Sequence, residues 1–439
     1  MILKICDWII FYSLILIVTL TPLVINPWGD DQFRLPKEVF AQVMIIIAFS
    51  SWLIKLIEEG FSLKRIVRKT PFMLPISLLI LASMLSLFNT TSVLFSFKSI
   101  LNIILYSLLY IVIVNNVKRY RQIKILLISA LLSGIITSIY CFVQYFGFDP
   151  ITHTVNPVQP NVGSYRTTGF LDNLDIVSGY LIIFPTVVLS MFLASAKLAL
   201  RILFFSAFLL ITSITIIIHS IATIFGLFAA FLVFMVFVKP HLPSKVKIGL
   251  AVILISFIGA GFFSGKVESI FNSASSHYKR FQDLSSDRLL MWRTAGEMIK
   301  DKPVSGIGMG MYKVKFFEYR DKVFDKIPYF GVYEKAEQAH NEYLQIWAEM
   351  GTIGIVAVIW LIIGYLTYTF KSKIQNPKSK IKIIGLTSGV IAILIDAIGS
   401  FPFHIAPSAV LTVVLIALTV SLQISGECRV MSDEFNTQN

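Results

Sequence analysis

Twelve apolar runs, each close to the length that crosses a bilayer, recur along this chain. They fall near residues 8–26, 39–57, 72–89, 99–117, 125–146, 176–195, 201–218, 221–238, 247–264, 344–369, 382–400 and 405–425. A span needs about 20 apolar residues to cross roughly 30 Å of hydrocarbon. Composition removes the soluble alternative: of 439 residues, 56% are apolar and 14% charged, with mean hydropathy +0.78. That polar share is too small to coat one soluble core. The chain is expected to be an all-α polytopic membrane protein, one integral membrane domain over residues 1–439 with about twelve transmembrane helices.

The least obvious cut lies between Arg201 and Val238. As one helix this run would be roughly 55 Å long at 1.5 Å per residue, beyond any reasonable tilt. His219-Ser220 is the natural break. The first run, Trp8 to Ile25, is longer than a signal-peptide core and ends in Pro27-Trp-Gly-Asp-Asp31 rather than a small-residue cleavage site, so it reads as a retained span. Cys6, Cys141 and Cys428 lie far apart with no Cys-x-x-Cys, which supports neither a disulfide framework nor a cysteine metal site.

Charge sets the orientation. Basic clusters at Lys64/Arg65/Arg68/Lys69, Lys118/Arg119/Arg121/Lys124, Lys197/Arg201, Lys239/Lys245/Lys247 and Lys371–Lys382 fall at every second connection. By the positive-inside rule these connections and both termini are cytoplasmic. Clusters flank both ends of the 201–238 run, which also demands two crossings there. The net charge of +13 is then explained by topology and anionic head groups. No nucleic-acid partner is expected, since that would require a basic face on a soluble domain.

Two connections on the opposite, outer side are too long for turns: a smaller loop at 147–175 and a larger one at 265–343, whose motif continues into the span 344–369. Loops beyond about 15 residues in a compact protein are usually functional or disordered, and both carry periodic apolar and aromatic residues. In the larger loop, Ser285-Ser286-Asp287 offers an N-cap, and Leu289, Trp292, Ala295, Met298 and Ile299 form a stripe. Lys302-Pro303 ends it, which predicts a short amphipathic helix on the membrane surface.

That helix would carry Arg288 and Arg293, followed by Gly306-Ile-Gly308-Met-Gly310 and then His340-Asn341 at the edge of the next span. Guanidinium groups hold phosphate oxygens bidentately at any pH; the bland alternative is an exposed helix face or an anchor to lipid phosphate. The glycines lack a strand-turn-helix context, so a turn is favoured over a phosphate loop. His340 precedes a helix whose free N–H groups favour anions. No metal-ligand spacing accompanies it, and neither metal nor cofactor is implied. Glu349 and Asp396 lie in or near spans, where ionisable residues line sites or orient a neighbour.

In order, Arg288-x3-Trp292-Arg293, Asp301-Lys-Pro303-x2-Gly306-Ile-Gly308 and His340-Asn341-x9-Gly351-x2-Gly354 resemble the signature of the O-antigen ligase and polymerase superfamily of bacterial membrane glycosyltransferases. Arg166-Thr-Thr-Gly169 with Asn173-Leu-Asp175 in the smaller loop is similar to a second family segment. Further echoes are Asp31-Gln-Phe-Arg-Leu-Pro36-Lys37 and Phe401-Pro402-Phe403-His404. The chain departs from the pattern at Asp175, where the family often has Asn, and at Ser220-Ile-Ala222, where many members have Ser-Arg-Gly.

The resemblance implies an undecaprenyl-diphosphate-linked glycan donor and transfer outside the bacterial cytoplasmic (inner) membrane. The acceptor would be a lipid A-core, another glycan or a protein hydroxyl. Carried over, His340 and Arg288 would be catalytic, with Arg166, Arg293 and Asn341 contacting substrate. A polysaccharide polymerase using the same donor, and a lipid-linked glycan transporter, are the alternatives. A transporter would be expected to show internal repeats and interrupted spans, which the sequence does not display.

Overall fold

A computed structural model describes residues 1–60, 70–149, 151, 167–218, 220–241, 274–323, 336–372 and 374–437, with backbone only for residues 221, 241, 274–287 and 426–437. Among these residues the structure is helical throughout, without strands. The helices are α1 (Ile2–Leu20), α2 (Arg34–Glu58), α3 (Met73–Leu85, extended by a 3₁₀ turn Ser86–Asn89), α4 (Val93–Asn116), α5 (Tyr120–Tyr145), α6 (Leu174–Leu181) and α7 (Phe184–Ala194). They continue with α8 (Leu198–Ile218), α9 (Ile221–Val238), α10 (Ala274–Asp301), α11 (Tyr312–Arg320), α12 (Glu342–Phe370), α13 (Pro377–Asp396) and α14 (Ala406–Thr437). Eight spans among the described residues, one of them the α6–α7 pair, are long and apolar enough to cross a membrane, and Met73–Asn89 and Ala222–Val238 are shorter apolar helices. The expected span at 247–264 lies outside the described residues.

The α6–α7 segment is the centre of the bundle: 89% of the most hydrophobic stretch of Leu174–Ala194 is buried, against 28% of that of Arg34–Glu58. It packs between α8 and α13, while α9 lies along α13 and α1 pairs with α2. Small residues allow the closest of these contacts; Gly389 of α13 leaves room for the Ile183 carbonyl and Gly385 for Ser190, the packing that brings helices together without a water-driven force. Large side chains such as Ile202, Phe225 and Ile363 point away from the bundle, as lipid-facing positions require.

Three sequence readings change. The 201–238 run divides as expected, with α9 starting after Ser220. The helix carrying Arg288 is longer than expected, beginning at Ala274, because Ser285-Ser286-Asp287 is read through; serine and aspartate are only mildly unfavourable inside a helix. Its buried stripe is Leu290, Thr294, Ala295 and Met298, and Leu289 is exposed. Two spans are also interrupted, where none was expected: one at Ile182–Ile183, between α6 and α7, just before Pro185, and one at Gly351 inside α12 (φ 68°, ψ −169°).

The Gly351 break has a partner. The segment from Pro303 to Gly310 docks backbone to backbone on it: Ile307 N donates to the Ala348 carbonyl (2.9 Å), Gly308 N to the Glu349 carbonyl (3.1 Å) and Thr352 N to the Pro303 carbonyl (2.8 Å). Gly306 and Gly351 both have positive φ, and a methyl on either would stand against backbone, 2.5 Å from Met350 N and 2.6 Å from Gly306 N respectively. Alanine at either position should therefore cost about 2 kcal/mol from backbone strain alone, and lower the thermal midpoint of detergent-solubilised protein. Gly296→Ala, inside α10 with open space around it, should raise the midpoint slightly, since alanine favours helix by about 0.5–1 kcal/mol. Equal effects at all three sites would contradict this packing.

Candidate functional site

The glycine segment is a turn whose donors are all used. Gly306 N donates to the Lys302 carbonyl, Met309 N to Ser86 Oγ (3.0 Å) and Met311 N to the Gly308 carbonyl. Gly310 N and Tyr312 N donate to the two oxygens of the Glu349 carboxylate (2.9 and 3.0 Å). With Ile307 and Gly308 already paired, no N–H from 306 to 312 is left for a phosphate. Glu349 thus ties the segment to α12. Around it, Ala295, Met298, Ile307, Met311, Tyr312, Phe316 and Ala348 form a separate hydrophobic core that seats α10 and α11 on α12, and the Tyr319 hydroxyl donates to Asp301.

Seating α10 in this way brings Arg288 towards the end of α13. Gly399 lies beneath it: a methyl there would stand 3.6 Å from Arg288 Nη1 and 2.9 Å from Ala222 Cβ. His340 enters the same region from the start of α12 in a left-handed conformation (φ 48°), uncommon for a residue with a side chain. The strain is held from both sides. Ala339 N donates to Gln345 Oε1 (2.9 Å), Leu344 N to Asn341 Oδ1 (3.0 Å) and Glu342 N to the Ala397 carbonyl (2.9 Å). The helix end is therefore capped by the protein, so positive charge for an anion comes chiefly from Arg288 rather than from free N–H groups.

The His340 ring meets Phe401 edge-on, with centroids 4.8 Å apart, and its Nδ1 is buried without a hydrogen-bond partner. Asp396 Oδ1 accepts from Thr223 Oγ1 (2.7 Å), which stands 3.0 Å from Ser178 Oγ; Asp396 Oδ2 lies 3.2 Å from where a methyl on Gly179 would sit. Asp175 and Arg288 both act electrostatically on His340 and on Asp396. The cluster thus combines one guanidinium, one imidazole and two carboxylates, contributed by α6, α10, α12 and α13. Burial pushes the His340 imidazole below its ordinary value; Asp175 opposes this and Arg288 adds to it. The ring is therefore neutral at pH 7.

A second layer lies behind. His404 Nδ1 stands 2.9 Å from Glu342 Oε1, off the hydrogen-bond line. Burial would lower this imidazole, but the Glu342 carboxylate outweighs it and holds His404 up at about 9. Gln345 Nε2 approaches His404 Nε2 at 3.1 Å, which disfavours a second ring proton; the closer, ionic Glu342 contact sets the sign.

Of the residues expected from sequence, Arg288 and His340 share this cluster. Asn341 caps α12 with its side-chain oxygen. Arg293, five positions along α10, is turned about 140° from Arg288 and is exposed. Arg166 lies outside the described residues. Thr223, Ser178 and Phe401 were not legible as site residues, because they carry no charge and come together only through the bundle. Among the described residues, no three His, Cys, Asp or Glu side chains converge as metal ligands.

Replacing single charges should move His340 in opposite directions. In histidine-labelled protein followed by NMR, His340 should titrate below 6.5, higher than wild type in Arg288→Gln and lower in Asp175→Asn. Shifts of the same sign would show that the three groups do not share one cluster.

A comparison with curated proteins finds no match. The family model described as O-antigen ligase matches residues 203–359, a stretch that contains Arg288, the glycine turn, His340 and the Gly351 break. The chain is thus similar to the O-antigen ligase family over residues 203–359, within a protein of several helices long and apolar enough to cross a membrane.

Proposed function

We propose that this protein transfers a glycan from an undecaprenyl-diphosphate-linked donor to an acceptor hydroxyl at the outer face of the bacterial cytoplasmic membrane, as an O-antigen ligase-like enzyme. The observation that supports it most is the neutral imidazole of His340, its Nδ1 unpartnered, in one half-buried cluster with Arg288, both residues lying in the matched stretch. The acceptor oxygen attacks the anomeric carbon while the bond to the diphosphate oxygen breaks, and the diphosphate leaves with the electron pair. His340 Nδ1 takes the hydroxyl proton, general-base help worth about 100- to 10,000-fold. Arg288 neutralises charge growing on the leaving group. In-line displacement inverts the anomeric centre, and arginine supplies the neutralisation without a metal.

The positive-inside rule places both termini in the cytoplasm and this cluster on the other side. The interrupted spans do not favour transport. In transporters such breaks free backbone groups for substrate and ions; here the Gly351 break is filled by the 303–308 backbone, and Ile182 N bonds within the chain to the Ser178 carbonyl. A polymerase would use the same donor and differ only in its acceptor. Surface glycans of a deletion strain separate the two: free lipid-linked long chains mark a ligase, capped single repeats a polymerase.

If Arg288 holds the diphosphate, Arg288→Lys should fail nearly as badly as Arg288→Ala, since a point charge does not reproduce the bidentate fork. Transfer by the parent protein should continue in excess chelator. Full activity of Arg288→Ala at matched protein levels, or loss in chelator with rescue by a divalent ion, would overturn this assignment.

A further inference from the structure

Two sequence echoes that the transfer site leaves unused meet in the fold. The segment Asp31–Lys37 at the start of α2 and the turn Phe401–His404 before α14 converge on one pocket, lined by Phe33, Arg34, Lys37, Glu38, Ile176 and His404 among others. It shares walls with the cluster above. Phe401 packs on His340 while His404 faces the pocket. Asp175 acts on His340 while its neighbour Ile176 lines the pocket.

The pocket wall is rich in donors. Lys37 is 1% exposed, yet its ammonium donates to one oxygen only, the Val24 carbonyl at 2.6 Å, and forms no ion pair among the described residues. An ammonium carries three donors; apart from the Val24 carbonyl this one faces only the Phe33 ring, 5.5 Å from Nζ, so two N–H groups have no oxygen partner, and burying a charge is costly unless it is paired. Arg34 Nε is likewise buried without a partner, while its Nη1 pairs with Glu337 at the rim (3.2 Å). The nearby acids do not fill the need. Glu38 is engaged by Lys98 (2.8 Å) and Asn102 (2.7 Å), Glu342 by His404, and Asp31 and Asp172 act on Lys37 only from beyond ion-pair distance.

We propose that this pocket binds an acidic oxygen group, a phosphate or a carboxylate, held by Lys37 and Arg34 beside the Arg288–His340 cluster. The centres of water-sized groups have about 30 Å³ to move in there, which leaves room for a small acidic tip. The tip belongs either to a soluble or glycan ligand or to a phospholipid head group. Binding of such a tip does not require the transfer reaction, so the two stand or fall separately.

The probe is inorganic phosphate, titrated into full-length Arg288→Ala protein in dodecyl maltoside so that the proposed diphosphate contact is absent. Phosphate should raise the thermal midpoint by about 2 °C at tenfold over its Kd, and chloride at equal ionic strength should not. Lys37→Met, similar in shape and uncharged, should abolish the response. Should that variant fail to fold, Arg34→Gln, which alters the other donor, should weaken the response several-fold. Repeating the titration in nanodiscs identifies the source: a response in digalactosyl diacylglycerol that vanishes in phosphatidylglycerol means head groups fill the pocket, and a response in both means a soluble or glycan ligand does. No response to phosphate, or an equal response in folded Lys37→Met or Arg34→Gln, overturns the proposal.

Discussion

The contact on which this molecule depends is the docking of the 303–310 backbone into the break of α12 at Gly351, closed by the Glu349 carboxylate. A carboxylate buried in a span is costly unless its oxygens are fully engaged, and here two backbone N–H groups of the glycine turn engage them. The arrangement solves two problems at once. The interrupted helix recovers partners for its exposed backbone, and the long polar segment gains a fixed seat on the bundle. Arg288 meets His340 because the helix that carries it is anchored there, through Met298 against Ile307 and Tyr312.

The cluster that results is governed by burial. A single guanidinium works next to two carboxylates and a neutral imidazole, so positive charge is not in excess in the cluster before any substrate enters. Ala222 of α9 packs against Gly399 beside Arg288. The cations placed nearby are Lys37 and Arg34, on the other side of the 401–404 turn. That placement separates the positive groups into two compartments sharing a wall, rather than gathering them around one anion.

Much of this was legible in the sequence. Apolar length located eight helices that can cross a membrane and two shorter apolar ones among the described residues, while the run expected at 382–400 falls on α13, which is not among them; the break at Ser220 followed from the impossibility of a helix of roughly 55 Å crossing once. Arg288, His340 and the glycine turn were found by residue chemistry and spacing. What stayed hidden depends on tertiary contact. Asn341 was expected as a substrate ligand from its place beside His340; that its side-chain oxygen also caps α12 is a contact only the structure shows. Glu349 and Asp396 were both notable as acids in spans; that one binds a backbone turn and the other faces Thr223 and Arg288 is a matter of helix rotation. The break at Ile182–Ile183 has its signal in Pro185, whose missing N–H removes the bond to the Leu181 carbonyl, but the apolar length of the run masked it; the pocket at Lys37 joins segments more than 360 positions apart.

The most direct test of the central claim is single-turnover release of undecaprenyl diphosphate in membranes of the native host, which reports transfer whichever acceptor takes the glycan. His340→Ala should slow release by about 100- to 10,000-fold, while retention of the lipid-linked donor by the protein stays within twofold of the parent. Release at the parental rate would place the reaction centre elsewhere in the molecule.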